Sequence, residues 1–403
     1  MSTSNLVSDD DPTCRRSGLS RGQEEFLAGS AGLTTPFLVL DLEVVAERHR
    51  ALIAALPDAT IYYAMKANPE PEVIELLAEL GCSFDVASPG EIERCLTLGI
   101  SPERLSYGNT IKKESDVAAA ARAGVRTFAV DCDAELDKVA RHAPDATVFV
   151  RLATDGAGAD WPLSRKFGCG TGEAAKLALR ATHLGLDVGV SFHVGSQQRD
   201  PRAWAGPLAE VADLFDGLVA AGGVPAGVNL GGGLPSRYVP TTPDIAAYGA
   251  TITSLVRHHL GRFLPMPVII EPGRYLVGDA GVIETEVVLI SERDIDPGRR
   301  WVYLDAGLFN GLTETLGEAI RYRLRAPGDH TRLGPAVLAG PSCDSADVLY
   351  ERHERQLPLD LRIGDRIQIL STGAYTTAYS SVWFNGFEPM ATHVLPARTG
   401  SPG

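Results

Sequence analysis

The sequence predicts a (β/α)8 barrel followed by a mostly antiparallel β domain. Eight short β-branched or aromatic runs carry the first half of that expectation, at 59–65, 83–87, 104–107, 126–130, 147–152, 188–194, 227–230 and 267–271. Between most of them lie Ala-, Leu- and Glu-rich stretches with helical spacing, such as 71–80 and 89–98. Strands alternating with helices make a parallel sheet, and eight such units over about 230 residues favour closure into a barrel over a doubly wound sheet. From about residue 279 the regular helices stop, and strand-like runs follow one another at 281–291, 300–305, 334–339, 365–370 and 380–384.

In chain order, residues 1–33 are polar, Gly/Ser-rich and aperiodic. They predict a disordered leader with one short helix around 21–28. Residues 34–42 read as a strand that joins the β domain, because the barrel begins only after the helix that follows. The barrel is expected over 43–278 and the β domain over 279–403. No internal repeat interrupts this order.

Composition narrows the function classes. The 403 residues suit two domains, and 44% hydrophobic with 22% charged residues is the balance of a globular protein. A net charge of −14 disfavours nucleic acid and acidic membranes as partners. The six cysteines, Cys14, Cys82, Cys95, Cys132, Cys169 and Cys343, form no CxxC or His-x-Cys pattern. Neither a metal site nor a disulfide framework is therefore expected, and reduced cytoplasmic thiols are. Arg15 and Arg16 are followed by polar Ser-Gly-Leu-Ser-Arg rather than an apolar export signal, and no run reaches the roughly 20 apolar residues of a membrane span.

Catalytic groups in such a barrel sit just past the C-terminal ends of the strands. Every predicted strand delivers a polar or glycine residue there: Lys66 and Asn68, Asp85 and Ser88, Asn109, Asp131, Arg151, His193 and Ser196, Gly231 to Gly233, then Glu271 and Arg274. Their types suit a specific chemistry. A strand-end lysine can lose its proton by desolvation and attack an aldehyde. Three glycines expose backbone N–H groups that can cradle a phosphate, and Arg274 can add a charged contact. Glu271 can hold a pyridine nitrogen protonated, and His193 can stack on a ring.

Three motifs in fixed order bring this together: Tyr-Ala-Met-Lys-Ala-Asn at 63–68, Glu-Pro-Gly-Arg-Tyr at 271–275 and Gly-Pro-Ser-Cys-Asp at 340–344. They point to a pyridoxal-phosphate enzyme working on an amino acid. Over about Thr35 to Phe387 the chain resembles the fold-type III pyridoxal-phosphate decarboxylases, the ornithine/diaminopimelate decarboxylase family with an alanine racemase-like fold. The resemblance implies Lys66 as the Schiff-base lysine and Asp85, Ser88 and Glu91 as pocket residues of the second barrel strand. Arg151 is implied near the cofactor, and Lys166 as the anchor of the loop over the pocket. His193 is implied on the ring face. Ser196, Gly231, Gly232, Gly233, Gly273, Arg274 and Tyr375 are implied around the phosphate, and Phe384 at the entrance. It further implies a homodimer in which Cys343 and Asp344 reach the partner subunit's cofactor, Cys343 returning a proton to the substrate.

The far end of the substrate decides among members. Diaminopimelate enzymes of this family carry Cys-Glu-Ser where this chain has Cys343-Asp344-Ser345, the form similar to enzymes that bind a distal amine. Glu318 stands where ornithine decarboxylases place a second carboxylate, while Phe309 departs from their tyrosine. The stretch 304–314 looks more like the bacterial ornithine/lysine branch. L-ornithine, then L-lysine, are the expected substrates. The alternatives are meso-diaminopimelate, a modified amino acid of secondary metabolism, or a regulatory homologue without catalysis; Lys66, Glu271, Arg274 and Cys343 argue against the last. An alanine racemase pairs its ring nitrogen with arginine, and Glu271 argues against that.

Overall fold

A computed structural model describes residues 18–397 except 164, 240 and 329. They divide into two compact units, one comprising 48–235 and 243–273, the other the remainder through 47, 236–242 and from 274 onward.

The first unit is the expected closed parallel barrel. Its staves are β2 (Thr60–Ala64), β3 (Ser83–Val86), β4 (Leu105–Tyr107), β5 (Thr127–Val130), β6 (Thr147–Arg151), β8 (Asp187–Ser191), β10 (Pro225–Asn229) and β11 (Val268–Ile270). Closure is made by Ile269 opposite Thr60 and Ile270 opposite Ile61. Runs such as Phe128-Ala129-Val130 and Val148-Phe149-Val150 are buried on both faces, as staves wrapped by helices require. Phe149 fills the interior. A Cβ on Gly189 would lie 2.5 Å from its ring, so that stave must be glycine to leave room. Two short strands outside the barrel, β7 (Ala159–Trp161) and β9 (Ser196–Gln198), pair antiparallel and tie the segment after β6 to the segment after β8.

The second unit is a mostly antiparallel eight-stranded sheet. Its strands are β1 (Phe37–Asp41), β12 (Gly281–Arg293), β13 (Asp296–Leu304), β14 (Arg323–Arg325), β15 (Leu333–Ala339), β16 (Val348–Pro358), β17 (Arg366–Leu370) and β18 (Ala391–Leu395). β1 lies antiparallel to β12 and parallel to β18. Ile283, Val302, Tyr322, Leu338, Tyr350 and Ile369 are buried in its core.

Several expectations are corrected here. The short helix expected around 21–28 is present as Arg21–Gly29, capped by Ser20 and Gln23 in a reciprocal capping box, but it is packed rather than part of a disordered leader, with Leu27 buried against Phe37. Residues 1–17 lie outside the described residues. The run 380–384 is not a strand but part of a tight turn, whereas β14, β16 and β18 were not foreseen. By their contacts, residues 236–242 and those from Arg274 onward group with the sheet unit. Those residues bond within the sheet unit, Ser236 Oγ to the Arg274 carbonyl at 2.7 Å and the Val239 N–H to the Arg321 carbonyl at 3.0 Å.

Candidate active site

The barrel brings Lys66, Asp85, Arg151, His193, Gly231–Gly233 and Glu271 to the C-terminal ends of its staves. Lys66 rides on a single 3-10 turn, Met65–Ala67, immediately after β2. Gly273 packs under that turn, since a Cβ there would meet the Ala67 Cβ at 2.8 Å. Lys66 Nζ donates to Asp85 Oδ2 at 2.9 Å, with the lysine side chain 47% and the aspartate 4% exposed. The buried carboxylate of Asp85 thus fixes where the lysine nitrogen sits at the barrel mouth. Asp85 is itself fixed by packing on Gly108, where a Cβ would fall 2.0 Å from Oδ1.

His193 follows β8. Its Nδ1 accepts the Gly195 N–H at 3.0 Å, which assigns its proton to Nε2. Burial, then the positive charges of Arg151 and Lys66, push its pKa down to about 3, so the ring is neutral. A neutral imidazole can lie against a cationic ring without repulsion.

Glu271 ends β11. Burial, then the charge of Asp85, push its carboxyl up to about 7; Lys66, Asn229 and Arg151 pull the other way. Asn229, at the end of β10, links two parts of the site. Its amide donates to Glu271 Oε1 and its carbonyl oxygen accepts the Gly231 N–H at 2.9 Å. Sequence reasoning missed Asn229; a polar residue ending an otherwise apolar stave was the available signal.

The raised Glu271 pKa makes a prediction for cofactor-stripped protein. A carboxyl that is harder to ionise folded than unfolded costs stability increasingly as pH rises from about 4.5 through about 7. Glu271→Gln should remove that cost. Denaturant melts of the stripped variant should match the parent at pH 4 and exceed it at pH 8. Equal gaps at both pH values would show that Glu271 is not so perturbed.

The three glycines form the backbone turn that residues with side chains could not. Gly231 and Gly233 have φ of 68° and 99°. Added Cβ atoms at 231, 232 and 233 would fall 2.2 Å from the Phe192 carbonyl oxygen, 2.5 Å from that of Glu271 and 2.4 Å from that of Gly195. The Gln198 N–H donates to the Gly233 carbonyl at 2.9 Å, which ties β9, and with it Ser196, to the turn.

Other expected pocket residues have structural work. Ser88 caps the helix Pro89–Thr97, and Glu91 reaches back to the Ala87 N–H at 2.6 Å. Asp131 accepts the Gly168 N–H at 2.9 Å, so Asp131 anchors the loop after β6. Lys166 Nζ and the Arg151 guanidinium each lie 5.0 Å from the Phe167 ring centre.

In the sheet unit, Arg274 is 3% exposed and bonded through both terminal nitrogens to Glu314 at 2.6 Å, with the Tyr238 hydroxyl at 3.0 Å. Its guanidinium also lies 4.8 Å from the ring centre of Tyr375, whose φ is 56°. Arg274 was expected to serve a phosphate; the structure shows it first as one half of a buried ion pair. Glu314 and Tyr238 were both missed.

Glu318, expected near the substrate, is bonded within the sheet unit. Its carboxylate accepts the N–H groups of Glu351, Arg352 and His353 at 3.0, 2.7 and 3.0 Å, and His353 Nδ1 at 2.6 Å. Burial opposes ionisation, but these bonds outweigh it and bring the pKa down to about 2. Four donors use the lone pairs a substrate ammonium would need.

Cys343 and Asp344 are exposed on the loop between β15 and β16. Buried Asp347 holds that loop, accepting the N–H groups of Leu308 at 2.7 Å and Ser342 at 2.9 Å. Phe384 packs on Phe309 with ring centres 4.5 Å apart.

The family model for the pyridoxal-dependent decarboxylases, pyridoxal binding domain, matches residues 42–278. The chain belongs to the pyridoxal-dependent decarboxylases. It is 36% identical over 357 residues to a lysine/ornithine decarboxylase of Selenomonas ruminantium, covering 88% of each chain. It is 33% identical to antizyme inhibitor 2 of Xenopus laevis, over 90% of this chain and 81% of that one. Among solved structures it matches lysine/ornithine decarboxylase from Vibrio vulnificus complexed with putrescine, at 31% identity and a TM-score of 0.82, covering 94% and 99% of the two chains. The decarboxylase is thus a carboxy-lyase of fold type III that uses pyridoxal phosphate. The residues of the barrel mouth fit that cofactor: a lysine, a neutral histidine, an acid for the ring nitrogen, and a glycine turn with no room for side chains. Among the described residues no cluster of ligands could hold a metal ion, and no helix is long and apolar enough to cross a membrane.

Proposed function

We propose that this decarboxylase acts on a basic L-amino acid, L-ornithine first and L-lysine second, and releases the corresponding diamine. Asp344 carries the choice: an exposed carboxylate adjoining Cys343, on a loop whose backbone is fixed. With Glu318 occupied by β16, recognition of a distal ammonium rests on one acid rather than two. The similarity to lysine/ornithine decarboxylases supports the same substrate class. The similarity to an antizyme inhibitor motivates a non-catalytic reading, against which stand Lys66, Glu271 and Cys343.

The cofactor, when bound, supplies an electron sink for the pair left behind as CO2 departs. The residues do the rest. Lys66 would provide the amine that holds the cofactor aldehyde and would accept or return protons, with Asp85 fixing its position. Glu271, oriented by Asn229, would keep the ring nitrogen protonated. His193 would cover one ring face as a neutral group. Gly231–Gly233 and Ser196 would cradle the phosphate, and the family resemblance would assign Arg274 and Tyr375 to it as well. Phe384 lines the entrance. Cys343 of one subunit delivers a proton to the substrate α-carbon bound by its partner. The working unit is a homodimer with shared sites, placed in the cytoplasm with reduced thiols.

The test is CO2 release by the cofactor-loaded protein from L-ornithine, L-lysine, meso-diaminopimelate and L-arginine side by side. Preference for ornithine or lysine supports the distal-amine reading. Their difference is one methylene, which gives about 1–3 kcal/mol of discrimination. Activity on diaminopimelate alone would overturn the role of Asp344. Silence on all four, with cofactor bound, would direct the search to modified amino acids.

A further inference from the structure

We infer that Asn385 is a positioning residue for Cys343, holding the thiol where it delivers its proton to carbon. The inference rests on the proton-donor role of Cys343 proposed above. The Cys343 N–H donates to Asn385 Oδ1 at 3.0 Å. The neighbouring bonds of the same loop are supplied from within it or from its foot: Asp347 takes the Ser342 N–H, and Asp344 takes the Ala346 N–H at 2.9 Å. The Asn385 bond reaches Cys343 from a separate turn 42 residues away.

That turn is held in an unfavourable shape. Trp383, Asn385 and Gly386 have φ of 59°, 53° and 79°. Left-handed backbone is tolerated by asparagine and glycine but is an outlier for a bulky residue such as tryptophan. Within the subunit the Trp383 ring is 58% exposed. What the turn does achieve is placement. The Ser381 N–H donates to the Phe309 carbonyl at 2.8 Å, Phe384 lies on the Phe309 ring, and Asn385 reaches Cys343. Three segments that carry Phe309, Cys343 and Phe384 are thereby locked in register. A proton donor to carbon must be held within about 0.5 Å of its productive position, and a single bond at its own backbone N–H does that directly.

When the proton misses the substrate carbon and reaches the cofactor carbon, amino acid and cofactor aldehyde leave as CO2, an amino-aldehyde and pyridoxamine phosphate. The substrate nitrogen passes to the cofactor, with no outside oxidant. The experiment compares Asn385→Gly, which keeps left-handed backbone but removes the acceptor, with Asn385→Asp, which keeps both, and with Cys343→Ala. Two quantities are read on the cofactor-loaded protein: the aldehyde-to-diamine ratio, and the iodoacetamide alkylation rate of Cys343 mapped by mass spectrometry. Asn385→Gly should raise the aldehyde fraction about five- to tenfold, in the direction of Cys343→Ala, and change the alkylation rate, while Asn385→Asp restores both. If Cys343→Ala makes aldehyde while Asn385→Gly keeps the parent's ratio and alkylation rate, the inference is overturned and the role of Cys343 stands. If Cys343→Ala itself makes clean diamine, the proposed role fails and the positioning role falls with it.

Discussion

Lys66→Ala should lower turnover by about 10³-fold or more, because it removes both the amine that holds the cofactor and a proton-transfer group in one change. The same variant separates chemistry from binding. The glycine turn and His193 remain, so the cofactor should still associate, but without the absorbance of a lysine-bound aldehyde. Borohydride reduction followed by peptide mapping checks this: the parent should carry the label on the peptide with Lys66, and the variant on none. Full activity in Lys66→Ala would remove the barrel-mouth site from consideration. Lys66→Arg is the useful companion. It keeps a cation beside Asp85 but offers no nucleophilic amine, so it should be as inactive as the alanine variant while retaining more stability.

The second large effect concerns stability and lies within the sheet unit. Arg274 and Glu314 are 3% and 5% exposed and bonded bidentately. Deleting one member of such a pair leaves a buried charge without its partner, at a cost of about 3–5 kcal/mol. Glu314→Ala should therefore unfold at clearly lower denaturant concentration than the parent. Arg274→Met combined with Glu314→Leu replaces both charges by apolar bulk and should regain most of the loss, since a buried pair as a whole adds little net stability. If Glu314→Ala alone costs less than 1 kcal/mol, water or another group must be compensating Arg274. The ring of Tyr375, 4.8 Å from the guanidinium centre, should sense the change, so its ultraviolet absorbance is a local probe.

How much of this could be read in the sequence depended on distance along the chain. All eight staves were legible because each is a short apolar run bounded by turn residues, and both faces of a parallel stave are buried. β16 was not, because Glu351, Arg352, His353 and Glu354 give it the look of a solvated loop. Those charges serve partners invisible in one dimension: Glu354 and Glu351 pair with Arg299, and the backbone of 351–353 binds Glu318. The run Ser-Ser-Val-Trp-Phe has the composition of a strand, yet left-handed Trp383 breaks it. Lys66, His193 and Glu271 stood out because strand-end polar residues are exceptional. Asn229 and Glu314 act through residues 42 and 40 positions away, so only the folded chain identifies them. The partners of Glu318 were hidden for the reverse reason. Its position in the motif suggested a substrate contact, and only the three-dimensional course of β16 shows where its oxygens are spent.

The barrel closes by pairing β11 with β2, segments about 200 residues apart. On a ribosome adding about 5–20 residues each second, β2 emerges some 10–40 s before its last neighbour exists. For that interval the nascent chain presents an open sheet edge and the apolar face meant for the interior. Such an edge invites pairing with other chains. Yield in a heterologous host should therefore respond to slower synthesis, lower temperature or added chaperones more than to stabilising substitutions in the finished protein.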